Sequence, residues 1–237
     1  MKMKKAIFSL LLIAILSIGF VACGEAEPDV NWSDDGDVIS ILFVGNSFTF
    51  QGDVPGQLQT LAGAQGVEIQ YIDISRGGAT LNDSRRNAIR EMERRQFDYV
   101  VLQDQSMRPG LEIDDFLNDV EALSDAARAN GVTPVLFSPA VSDDFEIQNI
   151  LTEIYQFAAE EFDAILINAG GAWVYAYQIM PGLVPDKGGN QAFLAACVFA
   201  GTLFDLQITD IPETNSYTGN DTISLAQIAW DFVHSSR

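Results

Sequence analysis

Basic groups are scarce in this sequence. Its 237 residues hold one histidine, His234, and 13 lysines and arginines against 33 aspartates and glutamates, a formal net charge of −20. Three lysines sit in the opening "MKMKK", and Lys187 is the only lysine after them. A field of that sign repels nucleic acid and anionic lipid surfaces, so neither is an expected partner. Cysteine is nearly absent too: Cys23 and Cys197 are the only two, and Cys-x-x-Cys spacing does not occur. With a single histidine, that excludes a zinc-type metal cluster. No cofactor is expected. Cys197, inside the apolar run "FLAACVFAG", is expected to be a small buried hydrophobe rather than a disulfide partner.

What is present is globular. Hydrophobic residues make up 48% and charged residues 19% of the chain, which is the composition of a folded domain. The length suits one well-buried core. The first residues follow a separate logic. A basic "MKMKK" precedes "AIFSLLLIAILSIGF", which is short for a membrane span, and then "VAC". This order is that of a secretory signal peptide, and Cys23 resembles the lipidation site of a bacterial lipoprotein. The resulting expectation is a signal peptide over 1–22, an acidic tether over 23–37 and a folded domain over 38–237. The mature chain would be an exported lipoprotein of the cell envelope, held at the membrane by acyl chains on Cys23. Without the three leader lysines the exported part carries −23.

From Val38 onward, strand-like and helix-like stretches alternate. The runs "VISILFV", "VEIQYIDI", "FDYVVLQ", "VTPVLFSP" and "DAILINA" have strand length. The first is continuously apolar, as a strand covered on both faces must be. Helical spacing occupies "VPGQLQTLAGAQG", "NDSRRNAIREMERR" capped by Asn82 or Asp83, "IDDFLNDVEALSDAARANG" and "FEIQNILTEIYQFAAEEF", then roughly 192–204 and 223–233. Alternation of this kind predicts an α/β fold: a three-layer α/β/α arrangement around a five-stranded parallel sheet. Ligands of such sheets sit beyond the carboxyl ends of the strands. The informative segments are therefore "GNSFTF", "SRGGATL", "QDQSMRP" and "NAGGAW".

Ser47 follows the first strand, Gly77-Gly78 the second, and Gln103-Asp104-Gln105 the third. Alone, Gly-Asn-Ser is turn chemistry and Gly-Gly a loop signal. Together and in this order they resemble the SGNH (GDSL-like) hydrolase family, over roughly Val38 to Phe204. "GNSFT" stands for Gly-Asp-Ser-Leu, and a glutamine-containing third block stands for the usual Gly-x-Asn-Asp, as in a lipoprotein-rich bacterial branch. The resemblance implies a flavodoxin-like sheet and a serine ester hydrolase. Ser47 would be the nucleophile, with its own N–H, the Gly78 N–H and the Gln105 amide binding the oxyanion. Gln103 is the competing amide, and Asn46 would brace the loop. The implied substrate is a small-molecule or glycan ester.

One family element is missing. The Asp-x-x-His-Pro block that supplies the base has no counterpart in "MPGLVPDKGGNQAFLAACVF". Placing Gly189 on the family's downstream glycine puts Val184 at the histidine. Placing Asp186 on the aspartate puts Gly189 there. The alternative bases are His234 near the C-terminus, or a carboxylate at Asp186, Asp53 or Asp104. Three functions follow. One is a lipid-anchored ester hydrolase with an unconventional base. Another is a pseudoenzyme that binds carbohydrate or a partner, with Trp173, Tyr175 and Tyr177 stacking on sugar rings. The third makes "GNSFTF" a phosphate-binding loop, which the acidic charge disfavours.

Overall fold

Apolar runs that lack polar alternation need cover on both faces, and the arrangement of strands supplies it. The structure is a computed structural model and describes residues 32–33, 36–212 and 221–235. Five strands, β1 (Ile39–Val44), β2 (Ile69–Asp73), β3 (Tyr99–Leu102), β4 (Thr133–Ser138) and β5 (Ile165–Asn168), form one sheet in the order β2-β1-β3-β4-β5. Every neighbouring pair is parallel. Nine helices occupy the described residues. They are α1 (Ser47–Phe50), α2 (Val54–Ala64), α3 (Leu81–Arg94), α4 (Arg108–Leu111), α5 (Ile113–Ala129), α6 (Phe145–Glu161), α7 (Ala169–Ile179), α8 (Asn190–Phe204) and α9 (Thr222–Ser235). This is the three-layer α/β/α architecture that the alternation predicts. Among the described residues no helix is long and apolar enough to cross a membrane.

Successive side chains of a strand point to opposite faces. Ile41, Phe43, Val101, Val135, Phe137 and Ile167 therefore share one face and join a core with α2, α7, α8 and α9. Leu42, Val100, Leu102 and Leu136 are equally inaccessible and belong to the opposite face, where α3 packs on β1 and α5 on β4. Within the first layer α8 is apolar on every side and buried along its length. Cys197 lies there as a free, buried thiol.

The structure adds three details to the sequence reading. The cap of α3 is Thr80, not Asn82 or Asp83. Thr80 Oγ1 accepts the Asp83 N–H at 3.1 Å and an Asp83 carboxylate oxygen accepts the Thr80 N–H at 3.0 Å, a reciprocal capping box. The stretch "NAGGAW" stands at the end of β5, as read, and enters α7 directly. A Cβ on Gly170 would stand 2.1 Å from Gln148 Nε2 and 2.9 Å from the Pro139 carbonyl, so the glycine is a packing requirement inside a helix. Ser33, expected in the tether, exchanges two hydrogen bonds with the Gln70 side chain of β2, at 2.9 and 2.6 Å. Cys23 and the leader lie outside the described residues.

Strand order also fixes where a ligand belongs. From β1 the chain passes to β2 on one side, and then to β3 on the other. The crevice of an open parallel sheet opens at that reversal, beyond the carboxyl ends of β1 and β3. Ser47 follows β1, and Gln103 to Gln105 follow β3.

Candidate active site

Three loops meet at this reversal, and one side chain joins them. Asn46, 2% exposed, caps α1 by accepting the Phe48 N–H on its Oδ1 at 3.3 Å. Its Nδ2 donates to the Asp104 carbonyl at 2.9 Å and to the Ala79 carbonyl at 3.3 Å. The residue just before Ser47 thus bonds the residue just after Gly78 and the residue just before Gln105. The structure brings together the loops that carry all three.

Asp104 repeats the joining from below. It is fully buried, and its Oδ1 accepts the Leu81 N–H at 3.0 Å and the Gln105 N–H at 2.7 Å. Arg108 pairs with its Oδ2 at 2.6 Å and reaches the buried Asp119 at 2.8 Å. Burial pushes the Asp104 carboxyl up from the ordinary aspartate range, while the two N–H groups and Arg108 pull against it. Both oxygens are committed, so Asp104 is a strut and not a base. Asp53 has a capping role. It caps α2, with Oδ1 accepting the Gly56 N–H at 3.1 Å.

The two glutamines separate clearly. Gln103 is fully buried beneath the loop. Its Oε1 accepts the Asn46 N–H and the Thr49 hydroxyl, both at 3.0 Å, and its Nε2 bonds the Asp104 carbonyl. Gly45 is required above it, because a Cβ there would stand 2.4 Å from Thr49 Oγ1 and 2.9 Å from Gln103 Oε1. Gln105 is half-buried. Its Oε1 accepts the Met107 and Arg108 N–H groups, each at 3.1 Å. Its Nε2 donates to Ser106 Oγ at 3.2 Å. The acceptor end is anchored twice, and an amide NH₂ carries two protons, so one remains to offer.

Ser47 is the first residue of α1 and half-buried. An N–H at that position has no intrahelical acceptor. Gly78 adopts φ +68° with open space where a Cβ would be. Its glycine answers the left-handed backbone rather than crowding. Among the described residues nothing accepts the Ser47 or Gly78 N–H, and no side chain hydrogen-bonds Ser47 Oγ. The arrangement holds two uncommitted backbone donors and one amide donor on loops that touch, beside a hydroxyl.

The remaining candidate bases are His234 and Asp186. His234 Nδ1 donates to the Trp230 carbonyl at 2.9 Å, its Nε2 lies 3.0 Å from Asp205 Oδ1, and the ring stacks on Trp230. Asp205 caps the far end of α8. At about 1.5 Å rise per residue, a helix of this length puts that end roughly 20 Å from Asn190. His234 is therefore not a base for Ser47. Asp186 is exposed in the loop before α8, with Oδ1 accepting the Gly188 N–H at 3.1 Å. That loop packs on the α1–α2 junction: a Cβ on Gly52 would stand 2.5 Å from the Lys187 carbonyl and 2.2 Å from Ala192 Cβ. Lys187 Nζ, a residue absent from the sequence reading of the site, lies 3.9 Å from the centroid of the Phe48 ring. No sequence signal singled it out except its being the only lysine beyond the leader.

Among the aromatic residues, Trp173 and Tyr177 line a cavity of about 420 Å³ together with Phe145, Pro181 and Val184. Tyr175 instead packs on Phe232, ring centroids 5.9 Å apart. Among the described residues no group of three or more His, Cys, Asp or Glu side chains is placed to hold a metal.

No family model matches the sequence, and no curated protein does. Solved structures do match. A protein described as an SGNH hydrolase from Slackia heliotrinireducens is 24% identical, with a TM-score of 0.56 over 70% of this chain and 99% of that one. A variant of the esterase AlinE4 is 16% identical, with a TM-score of 0.50 over 64% of this chain and 85% of that one. At this level of identity the likeness is one of fold. The fold of this chain is that of the SGNH hydrolases.

Proposed function

We propose that the protein hydrolyses carboxylic esters through an acyl-serine intermediate. Ser47 Oγ attacks the ester carbonyl carbon. The developing oxyanion takes hydrogen bonds from the Ser47 and Gly78 N–H groups and from Gln105 Nε2. Collapse expels the alcohol, and water then releases the acid from Ser47. Donors preorganised for an oxyanion contribute about 2.7–4 kcal/mol each. The observation that carries this reading is the Asn46 side chain, which ties the neighbours of Ser47, Gly78 and Gln105 into one cluster. The substrate class is a small-molecule or glycan ester. The cavity lined by Phe145, Trp173 and Tyr177, beside the loop before α8, offers an aromatic wall for the alcohol part. The enzyme would act at the cell envelope, anchored through Cys23, a reading that rests on the leader sequence.

The test is p-nitrophenyl acetate turnover by the full chain, set against Ser47→Ala and Gln105→Ala. The expected result is loss of turnover in the first, and a fall of about a hundredfold or more in kcat in the second. A second reading is a binding lipoprotein that keeps the cleft without turnover. The lack of a side-chain partner for Ser47 Oγ among the described residues favours it. Equal rates for the native protein and Ser47→Ala would decide for that second reading.

A further inference from the structure

The loop before α8, where the resemblance implies an imidazole, carries Lys187. Residues 184–190 form a tightly bonded turn. The Asp186 N–H donates to Asn190 Oδ1 at 3.0 Å, the Gly189 and Gln191 N–H groups donate to the Asp186 carbonyl at 3.1 Å, and Asn190 Nδ2 bonds the Val184 carbonyl. Gly52 lets this turn approach the α1–α2 junction closely enough for Lys187 to reach across it. Its Nζ rests 3.9 Å from the centre of the ring of Phe48, the residue next to Ser47. Among the described residues Lys187 forms no salt bridge, although the chain carries 33 acidic residues. Asp186, its neighbour, has turned its Oδ1 to the Gly188 N–H instead.

We propose that Lys187 Nζ is the proton acceptor for Ser47, in place of the missing histidine. The inference rests on Ser47 acting as a nucleophile, as set out above. The ammonium form is held over the Phe48 face by attraction to the ring quadrupole. The neutral amine loses that attraction and is released to turn on its four-carbon stem toward Ser47 Oγ. There it takes the hydroxyl proton as the Oγ–carbon bond forms. The resulting ammonium returns that proton to the departing alkoxide as the ester C–O bond breaks, leaving acyl-Ser47 and the alcohol. In the second half the amine takes a proton from the attacking water and hands it to Ser47 Oγ as the acid leaves. Only the unprotonated amine can accept a proton, so the rate rises with pH.

The decisive variant is Lys187→Arg, which preserves charge and ring contact but cannot give up its proton. Turnover of p-nitrophenyl acetate by the full chain is measured against pH, together with labelling of Ser47 by a fluorophosphonate. The native rate should rise with pH and level off. Lys187→Arg and Lys187→Ala should each lose about a hundredfold or more in kcat with little change in KM. Added methylamine should restore part of the rate to Lys187→Ala, which a structural role would not allow. A Ser47-dependent rate that survives Lys187→Arg within about threefold overturns this inference and leaves the ester hydrolase reading standing. No turnover and no labelling in the native protein overturns both.

Discussion

Asn46→Ala is the sharpest probe of how the site is assembled. The substitution removes three hydrogen bonds from a residue only 2% exposed: the α1 cap at Phe48 N, and the two bonds to the Ala79 and Asp104 carbonyls. The Asp104 carbonyl keeps its bond from Gln103 Nε2, but the Ala79 carbonyl loses its side-chain donor. A net hydrogen bond contributes about 1 kcal/mol, an orphaned buried acceptor costs about 1–3, and loss of a cap costs about 1. Overlap between these effects brings the total to about 3 kcal/mol. For a domain of this size that corresponds to a fall of about 6–12 °C in Tm. Asn46→Asp sharpens the test. It preserves shape and the Oδ1 cap, yet turns a carboxylate oxygen toward two carbonyl oxygens. It should be at least as damaging to the p-nitrophenyl acetate rate as alanine. Thermal unfolding and turnover are read on the same preparations. A Tm within about 2 °C of native for Asn46→Ala, or native turnover in Asn46→Asp, would refute the claim that this side chain holds the three loops in register.

Gly45→Ala should cost about 1–3 kcal/mol in urea unfolding, because its Cβ would drive into Thr49 Oγ1 and Gln103 Oε1; native stability would show that the loop has room. Gly78→Ala should cost about 1–2 kcal/mol from its φ of +68° alone, whereas Gly77→Ala, with open space and no left-handed φ, should be near neutral; equal effects would contradict the backbone argument. Thr80→Ala should lose about 1 kcal/mol of α3 capping. The Thr80 backbone N–H holds its partner Asp83 below the ordinary aspartate range. That stabilisation is complete above an unfolded value of about 3.9 and is lost as pH falls through the lowered one. Asp83→Asn should flatten the acid limb of a stability–pH curve, and an unchanged limb would sink the assignment.

The architecture was legible because its signals are local. A continuous apolar run such as "ILFV" requires cover on both faces wherever it lies, and five runs of strand length separated by helical spacing leave a parallel sheet as the consistent arrangement. Parallel strands put the segments after β1, β2 and β3 on one rim, and it was their resemblance to the SGNH hydrolase blocks, in the same order, that singled out Ser47, Gly78 and Gln105. Only the register of the family resemblance put Gln105 ahead of Gln103, since two amides two residues apart look alike until a turn at Asp104 buries one and leaves the other with a spare proton. The sequence could not separate a strut from a base at Asp104, whose partners Leu81 and Arg108 stand on different elements.

Hydrophobic spacing, then, determined by itself that this chain forms a doubly covered parallel sheet, and the resemblance of its strand-end segments to the SGNH blocks pointed to a serine, a glycine and an amide on the carboxyl rim. Tertiary structure alone decided which polar groups are used up in holding that rim together and which remain to act. It placed His234 at the far end of α8, paired with Asp205, and set Lys187 beside α1. The reason is physical. Burial of apolar runs follows short-range pattern, whereas the fate of a hydrogen-bonding group depends on partners 30 to 60 residues away that only the folded chain brings within about 3 Å.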